Sequence, residues 1–289
     1  MPLQPELDIW IRNAEDRWFS ALGQYLEEVF SDTFLPSHDH THHLRVWNIA
    51  RSLLEHISTF NKHLDPSLVE GLIIAVMFHD AGMVVTREKE HGRISRERCE
   101  SFFRDRKLQR PERFEEVLEA IEKHDNKDDR IYFGITPDEP PDLLTLLSLA
   151  DDLDALGVIG VYRYAEICLV RGMSMRELGV NILGNVSARF NHISKSCAMC
   201  PQILRVYREK YTYLVSFYDS YNQQLLLESD PQEVRSGYLG VVNAIRRLTL
   251  EGKTRPEDLP AKVEKNDPGK LVIDFFSQLK AALEGERSK

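Results

Sequence analysis

Apolar residues recur at three- and four-residue spacing through most of the chain, and strand signals are weak. Ala14, Trp18, Leu22, Tyr25, Leu26 and Val29 share one face of an opening amphipathic helix, which Pro36-Ser37 breaks. A second helix is expected from about 41 to 57, with Val46, Ile49, Ala50, Leu53 and Ile57 on one face. Asp65-Pro66 starts a third, almost wholly apolar helix that belongs at the buried centre. It ends near His79-Asp80, where Gly82 stops it. Residues 92–106 and 111–124 predict two more helices, with Pro111 opening the second, and the polar stretch 125–141 reads as a loop. Helices come next over about 142–156 and 158–171. Residues 172–200 hold three glycines and no sustained period, so they are expected to be an irregular join. Long helices are then predicted over 201–228 and 232–250, a Pro- and charge-rich loop over 251–270, and a last helix carrying Leu271, Phe275, Phe276, Leu279 and Leu283. The fold class is all-α: a helical-bundle domain over 1–171 with its core at about 20–170, the join at 172–200, and a C-terminal helical extension over 201–289 packed on that core. The stripe Tyr207, Tyr211, Leu214, Tyr218, Tyr221 reads as core rather than as a ligand wall.

The 289 residues, 42% apolar and 29% charged, suit a globular protein. A net charge of −9 argues against nucleic acid and against an anionic membrane as partners, because both need clustered Lys and Arg. It leaves room for a small anionic substrate, since charge at a metal site overrides net charge locally. The N-terminus has early acidic residues and no apolar run, so it does not read as a signal peptide. The stretch 68–78 is too short to span a bilayer. Four cysteines without a secretory signal point to the reducing cytoplasm. Cys197 and Cys200 form a single CxxC with His192 five residues upstream, but a structural zinc needs four ligands and no second pair is visible. Reduced thiols at a helix start are the simpler reading. Asp125, Asp128 and Asp129 make an acidic loop that is solvated or shapes a pocket rim.

The polar residues on apolar helix faces carry the chemistry. His42 lies one turn before Val46 on the inward face of the second helix, and His79-Asp80 ends the apolar third helix. Asp151 lies four residues after Leu147 on a Leu-rich helix. A carboxylate so placed is costly unless a cation neutralises it. Several packed helices directing rare polar residues inward is how ligand sites arise between helices. Mixed His/Asp donors suit Mn, Fe, Co, Ni or Zn better than Mg or Ca. Two more histidines, His91 and His124, share faces with apolar residues and also point inward.

The strings HDHTHHLRV (38–46), MFHDAG (77–82) and LADDLDALG (149–157) occur in that order. They resemble the HD-domain superfamily of metal-dependent phosphohydrolases over about residues 20–170. The resemblance implies an HD-domain helical-bundle core and a metal held by His42, His79, Asp80 and Asp151, in preference to His43, Asp152 or Asp154. Family members with two metals carry an extra His pair between HD and the last Asp. His91 and His124 occupy that interval, which leaves three readings open: ligands of a second metal bridged through Asp80, substrate or proton-transfer groups around one metal, or helix-end surface residues.

The resemblance further implies a phosphatase or phosphodiesterase with one or two divalent transition metals as cofactor. Its substrate is expected to be a small phosphorylated molecule such as a nucleotide. Catalytic candidates are Asp80, His91 and His124, with Arg45, Lys123 and Arg93 as cations for phosphate oxygens; a salt bridge is the competing reading for Arg45. Met83 and Val84 stand where alarmone hydrolases and deoxynucleoside monophosphatases of the family carry acids, and the GYP signature of cyclic-di-GMP phosphodiesterases is absent. A di-iron oxygenase of the same fold and a non-catalytic ligand sensor are the rival readings. The aromatic helices after 201 offer a surface for a homodimer.

Overall fold

The computed structural model describes residues 5–126, 134–265 and 269–287. Among these there are twelve α-helices and no strand, so the fold is all-α. The chain divides into two compact units, one of 1–153 with 193–203, the other of 154–192 with 204–289. The acidic-loop residues Asp128 and Asp129 lie outside the described residues.

The first unit holds α1 (Pro5–Phe30), α2 (His40–Ile57), α3 (Pro66–Phe78), α4 (His91–Asp105), α5 (Phe114–Lys123) and α6 (Leu143–Asp154) up to residue 153. Helix α3 is its centre, with α1, α2, α4 and α5 packed around it. Every residue from Gly71 to Asp80 is buried, which is why this helix is apolar on all sides. Asp side chains start three of these helices. Asp39 Oδ1 accepts from Thr41 N at 2.9 Å, Asp65 Oδ1 from Leu68 N at 2.8 Å, and Asp142 Oδ1 from Thr145 N at 2.8 Å. Each satisfies an amide left open by the first turn and so anchors a helix that carries a site residue.

A 3-10 turn (Ala81–Val84) follows α3, with Asp80 between them. The continuous stretch Pro66–Val84 has 19 residues and a mean hydropathy of 1.5, so by length and composition it is not too short to span a bilayer, as the run 68–78 alone suggested. Its burial inside the unit, 83% of the stretch, accounts for that hydropathy.

The second unit holds α7 (Gly157–Val170), most of α8 (Met175–Ser196) and α9 (Pro201–Leu227), then α10 (Gly237–Ala244), a π-helical segment (Ile245–Glu251), α11 (Leu259–Glu264) and α12 (Lys270–Arg287). Helix α12 packs on α7 and α10. Leu214, Tyr218 and Tyr221 of the tyrosine stripe are core, as expected, while Tyr207 and Tyr211 are only part-buried; Tyr218 Oη donates to Val161 O at 2.9 Å and Tyr221 Oη to Met175 O at 2.7 Å, so both buried hydroxyls have a partner.

Several sequence expectations are corrected. Residues 172–200 are not irregular; they contain the 22-residue α8. Gly179 is a point of close packing there, since a Cβ would meet Asn222 Oδ1 at 2.1 Å, and Gly184 meets nothing. Helix α5 begins at Phe114, after Pro111 rather than at it. The helix expected over 232–250 starts at Gly237 and changes to π geometry at Ile245. The expected loop 251–270 contains a 3-10 turn (Pro256–Asp258) and α11. The division into units also differs from the boundary expected at 171, since α7 groups with the C-terminal helices.

Candidate metal centre

Six side chains meet in the first unit. His42 comes from the first turn of α2, His79 from the end of α3, and Asp80 from the residue before the 3-10 turn. His91 opens α4, His124 follows α5, and Asp151 lies in α6. All but Asp151 are buried, and the Asp151 side chain retains 14% exposure. Asp80 adopts φ −105°, ψ 7°, the sparsely populated bridge region where active-site residues often sit.

Two triplets bring their ligand atoms within 4.8 Å of one another: His42, His79, Asp80, and Asp80, His91, His124. Asp80 belongs to both and divides its oxygens between them. Its Oδ2 lies 3.5 Å from His42 Nε2 and 3.4 Å from His79 Nε2. Its Oδ1 lies 3.3 Å from both His91 Nε2 and His124 Nε2. Asp151 Oδ1 stands 3.5 Å from His42 Nε2, beside the first triplet rather than within it.

The ring nitrogens are aimed by the backbone. His79 Nδ1 lies 2.7 Å from Val76 O, His91 Nδ1 2.7 Å from Glu88 O, and His124 Nδ1 2.8 Å from Ile121 O. A carbonyl only accepts, so in each case Nδ1–H donates and Nε2 is left to take either a metal or a proton. Yet His42 Nε2 faces His79 Nε2 at 3.1 Å, and His91 Nε2 faces His124 Nε2 at 3.4 Å. Lone pairs converging on carboxylate oxygens in a buried space need a cation or protons between them. The donor set therefore fits a transition metal.

Without a metal, protons take part of the cation's place. Burial pushes His79 down to about 4, aided by His124 and His42 and opposed by Asp80, so it is a neutral donor. Burial is the largest influence on Asp80 and pushes its carboxyl up. His79 and the hydrogen bonds from His124, His42 and His91 outweigh it and hold Asp80 well below the usual carboxylate range. His91 is pushed up to about 9: burial opposes the charge, but Asp80 and then Asp125 favour it more.

Glycines that sequence reasoning left out of the site let these elements meet. A Cβ on Gly82 would stand 2.2 Å from His91 O, and one on Gly92 would stand 2.4 Å from Glu122 O. Gly82 is thus a point of close approach between the Asp80 turn and α4, not a left-handed helix stop; its φ is not positive. The available signal was a Gly two residues after Asp80 and another directly after His91. Ser95 Oγ accepts from Gly82 N at 2.8 Å, and Ser148 Oγ donates to His124 O at 3.2 Å.

His43 is fully buried, donates Nδ1–H to Asp39 O at 3.0 Å, and packs its ring 4.9 Å from that of His79. It stands behind the triplets and is not part of either. Burial, then His79 and His42, hold it well below the ordinary imidazole range. The cation candidates separate. Arg45 is buried and donates to Thr41 Oγ1 at 3.4 Å. Lys123 is exposed and pairs with Glu119 at 2.6 Å; Arg93 is exposed and pairs with Glu97. Cys197 and Cys200 are buried free thiols, and neither joins a group of three ligand atoms among the described residues.

A helical unit that gathers four inward imidazoles around one shared carboxylate has groups that could hold a metal ion. The family model of the HD domain matches residues 40–156, consistent with the resemblance of the three motif strings. The match covers less than half of the chain and every residue of the two triplets. It supports a metal-dependent hydrolase in general terms. No curated protein and no solved structure matches the chain.

Proposed function

We propose that the chain is a metal-dependent phosphohydrolase acting on a nucleotide or another small phosphoester. The observation that carries this reading is the division of Asp80 between two imidazole pairs. His42, His79, Asp80 and Asp151 would hold one divalent transition metal, and His91 and His124, with Asp80, would hold a second. When bound, such ions lower the pKa of water to give a nucleophile near neutral pH and offset charge on phosphoryl oxygens.

The protein's own groups supply the positioning. Carbonyls of Val76, Glu88 and Ile121 lock the rings so that Nε2 faces inward. Asp151 is the least buried of the six. Arg45 is the candidate cation with a buried placement close to His42 in sequence. Lys123 and Arg93 are directed to solvent and are given no role.

Two triplets also suit a di-iron oxygenase of this fold, which is the second reading. One experiment separates them: metal analysis of the purified protein, then a phosphatase and phosphodiesterase screen with Mn, Co, Ni, Fe and Mg. Phosphoester turnover that depends on added metal supports the proposal. Metal-free, inactive protein sinks it. Two irons with oxygen consumption and no phosphoester turnover favour the oxygenase.

A further inference from the structure

The CxxC at 197–200 takes no part in the metal centre, yet it joins two long helices. Helix α8 ends at Ser196 and α9 starts at Pro201, so Cys197 directly follows the first and Cys200 directly precedes the second. A tight turn connects them. Cys197 N donates to Ile193 O at 2.9 Å, continuing the α8 ladder, and Cys200 N donates to Cys197 O at 2.8 Å. A turn closed by such an i to i+3 hydrogen bond keeps its end Cα atoms within about 7 Å. A disulfide spans Cα atoms about 4.4–6.8 Å apart, so the backbone already brings the pair within reach of a bridge.

Burial gives this turn two faces. Cys197 and Cys200 are buried, at 0% and 3% exposure, while Ala198 and Met199 between them are exposed, Met199 at 49%. Both thiols therefore lie on the inner side of a turn whose outer side meets solvent. Ile135 N donates to Ser196 O at 3.3 Å and ties the turn down. Both thiols are free, and among the described residues neither joins the further donors that a structural zinc needs.

We propose that Cys197 and Cys200 are a dithiol site that a hydroperoxide closes into a reversible disulfide. The positive end of the 27-residue α9 favours a thiolate at Cys200, and the negative end of the 22-residue α8 disfavours one at Cys197. The pair carries that polarity. A hydrogen bond from Cys197 holds the Cys200 thiol below its usual range against the effect of burial; the same bond, then burial, push Cys197 up. The Cys200 thiolate is the nucleophile. It attacks one peroxide oxygen, the O–O bond breaks, and Cys200 becomes a sulfenic acid while hydroxide leaves and takes up a proton as water. The Cys197 sulfur then attacks the Cys200 sulfur, and its proton departs with the hydroxyl group as a second water. Two thiols lose two electrons to form one S–S bond, and one peroxide is reduced to two waters. A bridge over four residues removes little loop entropy from the unfolded chain, so it serves as a reversible mark rather than a structural staple. A reducing thiol reopens it by exchange.

The test is oxidation of prereduced, full-length protein with hydrogen peroxide. Remaining thiols are blocked in denaturant, and tryptic peptides are then weighed without reductant. Cleavage after Lys195 and Arg205 places Cys197, Met199 and Cys200 in one peptide. That peptide is expected to lose two hydrogens and resist the blocking reagent before Met199 gains an oxygen, and to regain both thiols with dithiothreitol. Burial pushes the Cys99 thiol up and that of Cys168 up to about 11, so both are expected to stay reduced at the same dose. Two blocked thiols in the 196–205 peptide at a dose that has oxidised Met199 overturn the proposal. Single variants test the order of attack. Cys197→Ser is expected to leave a sulfenic acid at Cys200 that dimedone traps, and Cys200→Ser to leave Cys197 trapped severalfold less. Equal trapping at both positions overturns the role of Cys200 as nucleophile. None of these readouts depends on metal content or turnover, so this site and the metal-site reading fail separately.

Discussion

Asp80 in the first unit and Asp154 in the second are both buried carboxylates, and they are neutralised in opposite ways. Asp154 Oδ2 meets Arg163 Nη1 at 2.7 Å, a charge-assisted pair between residues nine apart across the α6–α7 turn. The guanidinium brings its own permanent positive charge. Asp80 is surrounded by four imidazoles whose Nε2 atoms lie 3.3 to 3.5 Å away. These are groups that carry either a proton or a metal, and in at least three of them Nδ1–H donates to a backbone carbonyl, which leaves Nε2 for that role. A carboxylate closed by Arg is a structural pair. A carboxylate ringed by aimed lone pairs is a site for a cation.

That contrast breaks most sharply at the two aspartates themselves. Asp80→Ala is expected to remove metal from both triplets and to lower any hydrolytic rate by more than about a hundredfold, since even outer-shell changes cost 10–100-fold. Elemental analysis alongside turnover checks it; retained metal at wild-type stoichiometry would falsify the shared role of Asp80. Asp154→Ala is expected to act on stability instead. Removing one partner of a buried pair costs about 3–5 kcal/mol, read as a lower denaturation midpoint, while metal per folded chain stays the same. Loss of metal without loss of stability would reverse the comparison.

The two sides of Asp80 give the next test. His91→Ala and His124→Ala are each expected to lower metal stoichiometry from two ions to one, leaving the ion at His42 and His79. If wild-type protein binds a single ion and His91→Ala does not change it, these histidines serve substrate or proton transfer.

The smallest effect concerns the helix that delivers His79-Asp80. Asp65→Ala removes the cap of α3 and is expected to cost about 1 kcal/mol, with metal content intact. Burial pushes the Asp65 carboxyl up most strongly, but the Ser67 hydroxyl, the Leu68 amide and Arg113 together hold it below its ordinary value. A carboxyl whose folded pKa is depressed stabilises above its unfolded pKa and loses that contribution as pH falls through the folded value. The difference between wild type and Asp65→Ala in chemical denaturation should therefore be full at neutral pH and shrink in acid. A gap that does not shrink shows that the cap acts without its charge.

The α1 to α7 order was legible because apolar residues on those helices recur at helical spacing and Asp or Pro marks most of their starts. So were His42, His79, Asp80 and Asp151, because a polar residue on an apolar face is conspicuous in sequence, and His91 and His124 stood out for the same reason. Helix α8 was not legible: its glycines look like breakers, and only the approach of Asn222 to Gly179 shows that one of them is packing. The π geometry of 245–251 was equally hidden, since the geometry is rare and apolar spacing does not mark it.

The sequence by itself determined that the protein is helical and that inward-facing histidines and aspartates call for a cation, because both come from local periodicity and the cost of burying charge. Only the tertiary structure decided how the cation donors are shared. That Asp80 offers one oxygen to each imidazole pair, that Gly82 and Gly92 bring the elements into reach, and that Lys123 turns to solvent all depend on distances between residues far apart in the chain. Spacing along a helix says which face a residue occupies; packing between helices says what it meets there.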